Sequence, residues 1–284
     1  MGDKFKLGLT LTPLAVLGYM WIQLVLSGGS YDPNLLTSEQ MTQRLNARPA
    51  ITSVEHQQRR KYAIVINGDT SKLHQGNVTE AYKSLKHLGF ADENIFLLTS
   101  NFPREDDNKS ITTPATEQNL RRVFYYLDNV VDDNDLVLVY TTGHGGTIGG
   151  QSTLALADKE ILSSNLKDIV KSTKAGDYVI VADQCFSGGI AQSLSELEGE
   201  VTSFSSTDAG HSTYCRSFAR PFWTSFRTCE ADANQDGTTT LDEAFSYASQ
   251  EHKRNVGLLN RIFGSGTNRD CQEYRTLNSP NSLE

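Results

Sequence analysis

Short apolar runs alternate with amphipathic stretches along the chain from residue 61 onward. Four runs rich in β-branched residues end in polar or glycine-containing turns, which is typical of strands buried on both faces. They cover residues 62–67, 95–98, 136–140 and 178–183. Between them, apolar residues recur at three- and four-residue spacing, which predicts helices over 78–88, 116–127 and around 161–170. Strands alternating with helices predict an α/β fold whose mostly parallel central sheet is covered on both faces.

The segments on either side of this pattern suggest the domain organisation. Lys4 and Lys6 precede an apolar stretch of about 20 residues, long enough to cross a bilayer. Residues 1–29 are therefore predicted to be a signal peptide or a membrane anchor, with a buried N-terminal helix as the alternative. Export or anchoring would place the domain outside the cytoplasm, as a secreted, periplasmic or membrane-anchored protein. The remaining predicted segments are a polar linker over 30–60, one globular domain over 61–255 and a C-terminal tail over 256–284.

Charge and cysteine content narrow the function classes. The formal net charge is -8 and no basic block offsets it, which argues against nucleic acid as a partner. Four cysteines in 284 residues are too few for a disulfide scaffold. If Cys185 is a free thiol, at most one bridge can form among the other three, Cys215, Cys229 and Cys271, and the sequence does not choose the pair.

Two residues of types that can act in catalysis, a histidine and a cysteine, follow neighbouring predicted strands. His144 and Cys185 are 41 residues apart, and each has glycine close after it, at Gly145 and Gly188. Taken singly, such a histidine or cysteine more often has a structural role. The carboxyl ends of parallel strands meet at one edge of a sheet, however, and open α/β sheets carry their chemistry there. The pair therefore predicts a nucleophilic thiol with a partner imidazole, next to main chain that can approach a substrate closely.

Four separated blocks, in the same order, carry a resemblance to a known family. They read His-Gln-Gly-Asn-Val at 74–78, Gly-His-Gly-Gly at 143–146, Asp-Gln-Cys-Phe-Ser-Gly at 183–188 and Ser-Thr-Tyr-Cys at 212–215. The stretch 61–248 resembles the caspase-like cysteine peptidases, and within them the legumain-type group, family C13. That group includes asparaginyl endopeptidases and the catalytic subunit of the glycosylphosphatidylinositol transamidase. The resemblance implies a three-layer α/β/α sandwich.

The resemblance also implies the chemistry. Cys185 would attack the scissile carbonyl and form a thioester, His144 would act as acid and base, and the N–H groups of Gly145 and Cys185 would form the oxyanion hole. The expected function is that of a cysteine endopeptidase, with a protein or peptide as substrate and no cofactor for catalysis. The alternatives are a transpeptidase or transamidase of the same fold, and a catalytically inactive binding module stabilised by calcium.

The substrate pocket is where the chain departs from the legumain-type pattern. Asparaginyl endopeptidases have charged pocket residues at positions that correspond here to Leu73, Phe186 and approximately Pro221. A preference for asparagine at P1, the substrate residue before the scissile bond, is therefore not expected, and a less polar pocket is. Asp208, Arg216 and Arg220 are unranked candidates for replacement charges. The predicted pocket residues are Leu73, His74, Asp183, Phe186, Ser206, Asp208 and Ser212.

A further motif near the end of the domain fits a calcium-binding loop. Residues 232–243 have oxygen-bearing side chains at positions 1, 3 and 5, glycine at 6 and glutamate at 12. The predicted ligands of a structural Ca²⁺ are Asp232, Asn234, Asp236, Thr238 through its carbonyl, and Glu243. The alternative is an Asp-Gly turn followed by a helix that Asp242 caps.

Overall fold

The computed structural model describes residues 35–48, 58–100, 110–214, 216–263, 270–276 and 279–283, without the side chains of 260–263. All of them belong to one compact unit, Asp32–Glu284. The predicted leader over 1–29 and Cys215 lie outside the described residues. Within the described ranges, no helix is long and apolar enough to cross a membrane.

A seven-stranded sheet forms the centre of the unit. In chain order its strands are β1 (Lys61–Asn67), β2 (Ile95–Thr99), β3 (Ile111–Thr113), β4 (Leu136–Thr142), β8 (Asp177–Asp183), β9 (Glu200–Ser205) and β10 (Gln272–Arg275). Their spatial order is β10-β9-β8-β4-β1-β2-β3, and only β10 is antiparallel to its neighbour. The four predicted strands correspond to β1, β2, β4 and β8, and the parallel arrangement is confirmed.

The described part of the chain contains seven α-helices beside the sheet. They are α1 (Ser38–Asn46), α2 (Lys72–His87), α3 (Glu117–Asp128), α4 (Ser163–Val170), α5 (Ser187–Leu194), α6 (Ala219–Thr228) and α7 (Leu241–Phe263). Apolar side chains of α1, α3, α4 and α5 form one core cluster with the sheet, and those of α2, α6 and α7 form the other. The helices therefore cover both faces, and the fold is the expected caspase-like α/β/α sandwich.

The register of the central strands brings three polar residues together. β4 pairs with β1 on one side and with β8 on the other, so that Thr142 lies opposite both Asn67 and Asp183. All three are the last residues of their strands, and all three are buried. The polar edge predicted at the carboxyl ends of these strands is thus present, and the chain turns there into the segments that contain Asp69, His144 and Cys185.

Two segments predicted to lie outside the domain contribute to it. In the predicted linker 30–60, α1 buries Met41 and Leu45, and Thr37 forms a capping box with Gln40. In the predicted tail 256–284, β10 pairs with β9 and Leu283 is buried. A short helix over 38–45 was expected in the linker, but not as part of the domain. Each segment covers an existing edge of the core and does not build a core of its own, so its few apolar residues did not mark it as belonging there.

A small antiparallel sheet follows β4 directly. It consists of β5 (Gly145–Ile148), β6 (Gln151–Ala155) and β7 (Glu160–Leu162). The two-residue turn between β5 and β6 is Gly149-Gly150, with φ of +58° and +80°. Positive φ at both positions is typical of a tight hairpin turn, and glycine adopts it without strain. The hairpin was not predicted from the sequence, although the glycine pair was a signal for it.

Candidate active site

The segments after β4 and β8 touch each other at the sheet edge. A Cβ atom added to Gly145 would lie 2.2 Å from the carbonyl oxygen of Cys185 and 2.7 Å from Cγ of Gln184. Only glycine fits at position 145, because real Cβ atoms do not approach other heavy atoms this closely. The predicted juxtaposition is present: the main chain beside His144 lies against the main chain of Cys185.

Cys185 is a partly buried free thiol. Its Sγ atom donates a hydrogen bond to the carbonyl oxygen of Thr213 over 3.7 Å. Burial raises the pKa of the Cys185 thiol above its ordinary value. The resting protein therefore holds a protonated thiol, so a base must remove its proton before the sulfur can attack.

The backbone next to the thiol is constrained. Phe186 has φ of +60°, a left-handed conformation that is uncommon for a bulky residue. Its N–H donates to the carbonyl oxygen of His211 over 2.8 Å, and α5 starts immediately after it. A Cβ at Gly188 would lie 2.6 Å from the backbone of Asp208. These contacts hold the loop around 208–213 against the turn that carries Cys185.

Asp69, which the sequence analysis did not single out, is the partner of His144. Its Oδ2 atom lies 2.9 Å from Nε2 of His144. The other carboxylate oxygen, Oδ1, accepts the N–H of Ser71 over 2.6 Å, and the N–H of Asp69 donates to Oδ1 of Asn67. Its position directly after β1, in the turn Gly68-Asp69, was the available signal, because that turn opens onto the same sheet edge.

The Asp69–His144 contact shifts both pKa values. Burial alone would raise the pKa of Asp69, but hydrogen bonds from His144 and the Ser71 N–H outweigh it and lower the pKa to about 2. The hydrogen bond to Asp69 raises the pKa of His144 against the opposing effect of burial. An ionised Asp69 thus favours the imidazolium form of His144 and orients its ring.

His74 lies on the other side of the same carboxylate. Its Nε2 atom is 3.5 Å from Oδ2 of Asp69, its Nδ1 atom is 3.4 Å from Oγ1 of Thr142, and its ring packs edge-on against that of His144, with centroids 5.5 Å apart. Burial lowers the pKa of His74 to about 4. This predicted pocket residue is therefore a neutral, buried partner of Asp69.

Asp183 is the second buried carboxyl group at this edge. Its Oδ2 atom accepts the Nδ2 amide of Asn77 over 3.2 Å, whereas its Oδ1 atom has no hydrogen-bond partner in the described part of the chain. Complete burial raises the pKa of Asp183 to about 8, against the opposing effect of a hydrogen bond with Ser206. The structure thus brings together two predicted pocket residues, Ser206 and Asp183. Asp183 is two residues before Cys185 in the chain.

The other predicted pocket residues are more scattered. Leu73 is 53% exposed, and Ser212 is also exposed. Asp208 lies 2.8 Å from Nδ1 of His211, so its carboxylate already has a partner. Arg216 packs its guanidinium carbon 3.6 Å from the position of a Cβ at Gly76 on α2. Among the charged side chains considered for the pocket, Asp183 is the only one that is both buried and next to Cys185.

The predicted calcium loop is folded into a compact turn. Asp232 accepts the N–H groups of Asp236 and Gly237, and Gly237 has φ of +90°. Glu243 accepts the N–H of Thr240 and donates its own N–H to the Thr240 hydroxyl, so Thr240 caps α7. The helix cap predicted at Asp242 is therefore wrong. The carboxylates of Asp232, Asp236 and Glu243 do not converge within 4.8 Å of one another among the described residues.

We expect calcium to raise the melting temperature through this loop. At a concentration one hundred times the dissociation constant, binding contributes about 2.7 kcal/mol, which corresponds to roughly 5–10 °C for a domain of this size. Melting with calcium and with a chelator measures the shift. The matched variant Glu243→Gln weakens the bidentate ligand and should reduce it. If the melting temperature of the wild type is the same with calcium and with chelator, the loop does not bind calcium.

Comparisons with known proteins agree with this geometry. The model of the Peptidase C13 family matches residues 126–264, which include His144 and Cys185. Metacaspase-4 of Arabidopsis thaliana is 28% identical over 149 residues, and metacaspase-7 of the same plant is 31% identical over 151 residues. Each alignment covers 48% of this chain but only 34% and 36% of the respective relative, so the chain spans about a third of the length of these relatives. The fold and these matches together support a caspase-like cysteine peptidase of the C13-like group.

Proposed function

We propose that the domain is an endopeptidase that cleaves peptide bonds through a thioester on Cys185, with His144 as acid and base. The observation that carries the proposal is the contact between the two strand-end segments, where Gly145 lies against the carbonyl of Cys185. His144 precedes this glycine, and Asp69 holds its imidazole through Nε2. Nδ1 of His144 is thereby left as the nitrogen that can exchange a proton with the reacting atoms.

The reaction follows from these positions. The Cys185 thiol gives its proton to His144 as the sulfur attacks the scissile carbonyl carbon, and the oxyanion that forms is stabilised by the N–H groups of Gly145 and Cys185. The imidazolium then protonates the leaving amine as the C–N bond breaks, which leaves a thioester. Water attacks the thioester, His144 accepts its proton, and the carboxylic acid product departs with the thiol restored.

The electrostatics of the resting site fit this sequence of steps. Burial keeps Cys185 as a thiol, the neutral form of His144 accepts its proton, and Asp69 stabilises the imidazolium that this transfer produces. The imidazolium is the form that must donate to the leaving amine, and an ionised Asp69 stabilises it at that moment. The raised thiol pKa means that proton transfer accompanies attack, so a preformed thiolate and imidazolium pair is not needed.

For specificity, we propose a basic P1 side chain, not asparagine. The charged groups that bind a carboxamide in asparaginyl endopeptidases are replaced here by Leu73 and Phe186, and Leu73 points into solvent. The group next to the thiol is Asp183, whose Oδ1 atom is unpartnered among the described residues. A lysine or arginine that displaced the side chains covering Asp183 would pair with this oxygen and keep the carboxyl ionised, whereas a neutral P1 would leave it unsatisfied.

Labelling with peptidyl acyloxymethyl ketones tests the enzymatic proposal. The wild type should be modified once, at Cys185, and a Cys185→Ala variant should not be modified. Cys229 is exposed and Cys271 partly buried, so mass mapping of the labelled peptide, with Cys229→Ala as the matched control, separates site-directed from general thiol reactivity. Absence of labelling at Cys185 by a varied probe set on folded protein would contradict catalysis and favour the binding module.

A further inference from the structure

Beyond peptide cleavage, we propose that Asp69, His74 and His144 form a site for a divalent transition metal of the zinc type, and that metal binding there inhibits the enzyme. One ligand atom from each of the three side chains lies within 4.8 Å of the other two, which is the only such group among the described residues. The distances from Oδ2 of Asp69 to Nε2 of His144 and to Nε2 of His74 are 2.9 Å and 3.5 Å. Two ligands bound tetrahedrally at about 2.05 Å are roughly 3.3 Å apart, so the observed spacing needs little rearrangement.

Hydrogen bonds from neighbouring groups fix the orientation of the ligand side chains, as they do in known metal sites. Oδ1 of Asp69 accepts the Ser71 N–H, which directs Oδ2 toward the two imidazoles. The Asp69 carbonyl accepts the hydroxyl of Ser100 over 2.6 Å. His74 has its other ring nitrogen, Nδ1, near the Thr142 hydroxyl, which fixes the ring so that Nε2 faces the carboxylate. Hydrogen bonds of this kind orient metal ligands and strengthen binding.

The donor set indicates the metal. Two imidazoles and one carboxylate suit Zn²⁺, Co²⁺ and similar ions, whereas Ca²⁺ and Mg²⁺ prefer oxygen ligands alone. Three protein ligands leave a fourth tetrahedral position for water. His144 is partly exposed at the surface, which gives an ion a route to the buried pair.

Inhibition follows from the chemistry of imidazole, and this part rests on the proposed function. A metal on Nε2 of His144 uses that nitrogen's lone pair, so the neutral ring carries its proton on Nδ1. Such a ring cannot accept the proton of the Cys185 thiol. The metal also takes the Asp69 carboxylate that otherwise stabilises the imidazolium. A bound ion should therefore stop the reaction until a chelator removes it.

Binding is measured first on the Cys185→Ala variant, which cannot supply a thiolate ligand from the active site. Titration calorimetry with Zn²⁺, in excess calcium to fill the 232–243 loop, should give one ion per chain with a micromolar or lower dissociation constant. Co²⁺ should give the visible absorption of a tetrahedral centre. The double variant Cys185→Ala/His74→Gln should bind at least ten times more weakly. His211→Gln in the same background is the matched control, since it removes another histidine that pairs with an aspartate, and it should leave binding unchanged.

The outcomes separate the two proposals. Zinc binding by Cys185→Ala that is lost with His74→Gln supports the site, even if the wild type cleaves no peptide. Three results would overturn the three-residue site. Zinc binding by the wild type alone would show that Cys185 and His144 hold the ion. Binding that His74→Gln leaves intact, or no binding at all, would equally rule the site out. In active wild type, zinc should block cleavage at one-to-one occupancy and a chelator should restore it. An active enzyme that stays active with the site filled overturns the inhibitory role.

Discussion

An Asp69→Asn variant is expected to fold normally but to cleave its best peptide with a kcat about 10²- to 10⁴-fold below that of the wild type, the range typical of a lost acid–base contribution. The carboxylate lies 2.9 Å from Nε2 of His144 and raises the pKa of that ring. An amide of the same size cannot stabilise the imidazolium. It can also present its NH₂ group to Nε2, which would favour the tautomer with the proton on Nδ1, the nitrogen that must accept the thiol proton.

Steady-state kinetics on a fluorogenic peptide measures this effect, with KM expected to change little because Asp69 does not contact the substrate. Asp92→Asn is the matched control, since Asp92 is paired with Lys86 near the start of β2, at the opposite edge of the sheet. Its kcat should equal that of the wild type. If Asp69→Asn kept full kcat, the carboxylate would not act through His144, and the Asp69 contact would be only structural.

The strands and helices of the domain could be predicted from the sequence because burial on both faces produces a strong pattern. The β-branched runs of β1, β4 and β8 have no polar residue before their ends, so their limits were placed within two residues. Helix α2 was predicted to begin at residue 78 and begins at Lys72. Its first turns bury His74 and Asn77, whose polar side chains serve the active site and hide the apolar periodicity.

The arrangement of the active site could be predicted only where the order of the strands along the chain determines which strand ends are neighbours. Parallel strands with right-handed connections bring the ends of β4 and β8 together, and this was enough to pair His144 with Cys185. The involvement of Asp69 depends on the turn after β1 folding back toward β4, with Asn67 holding its N–H. No short-range pattern encodes that turn. Ser206 likewise reaches Asp183 only because β9 lies beside β8.

The buried edge carries two carboxyl groups in opposite states. Asp69 is paired with imidazoles, and its pKa is lowered to about 2, whereas the pKa of Asp183 is raised to about 8 by burial without a cation. The protein thus tolerates at Asp183 a group that is costly to ionise. Costs of this kind are common where a ligand later supplies the missing partner, which supports the proposal that Asp183 recognises the P1 side chain.

Replacing Asp183 by asparagine should therefore have opposite effects on activity and stability. We expect kcat/KM for peptides with lysine or arginine at P1 to fall about 10²- to 10³-fold, because a buried cation would lose its counter-charge. Peptides with asparagine at P1 should be poor substrates for the wild type. A peptide library with varied P1 measures both, and an asparagine-only profile of the wild type would show that the assignment of the pocket is wrong.

The stability of the same variant should depend on pH in a defined direction. The folded protein keeps a proton on Asp183 up to about pH 8, whereas an unfolded aspartate loses it near pH 4, so ionisation favours the unfolded chain as pH rises between these values. An asparagine side chain does not titrate, so the Asp183→Asn variant should match the wild type near pH 4 and melt roughly 10–20 °C higher at pH 8. Asp92→Asn, at the opposite edge of the sheet and paired with Lys86, is the matched control and should lack this gain. A wild type as stable as the variant at pH 8 would mean that Asp183 is already ionised and paired without substrate, and the cation-binding role would then have no support.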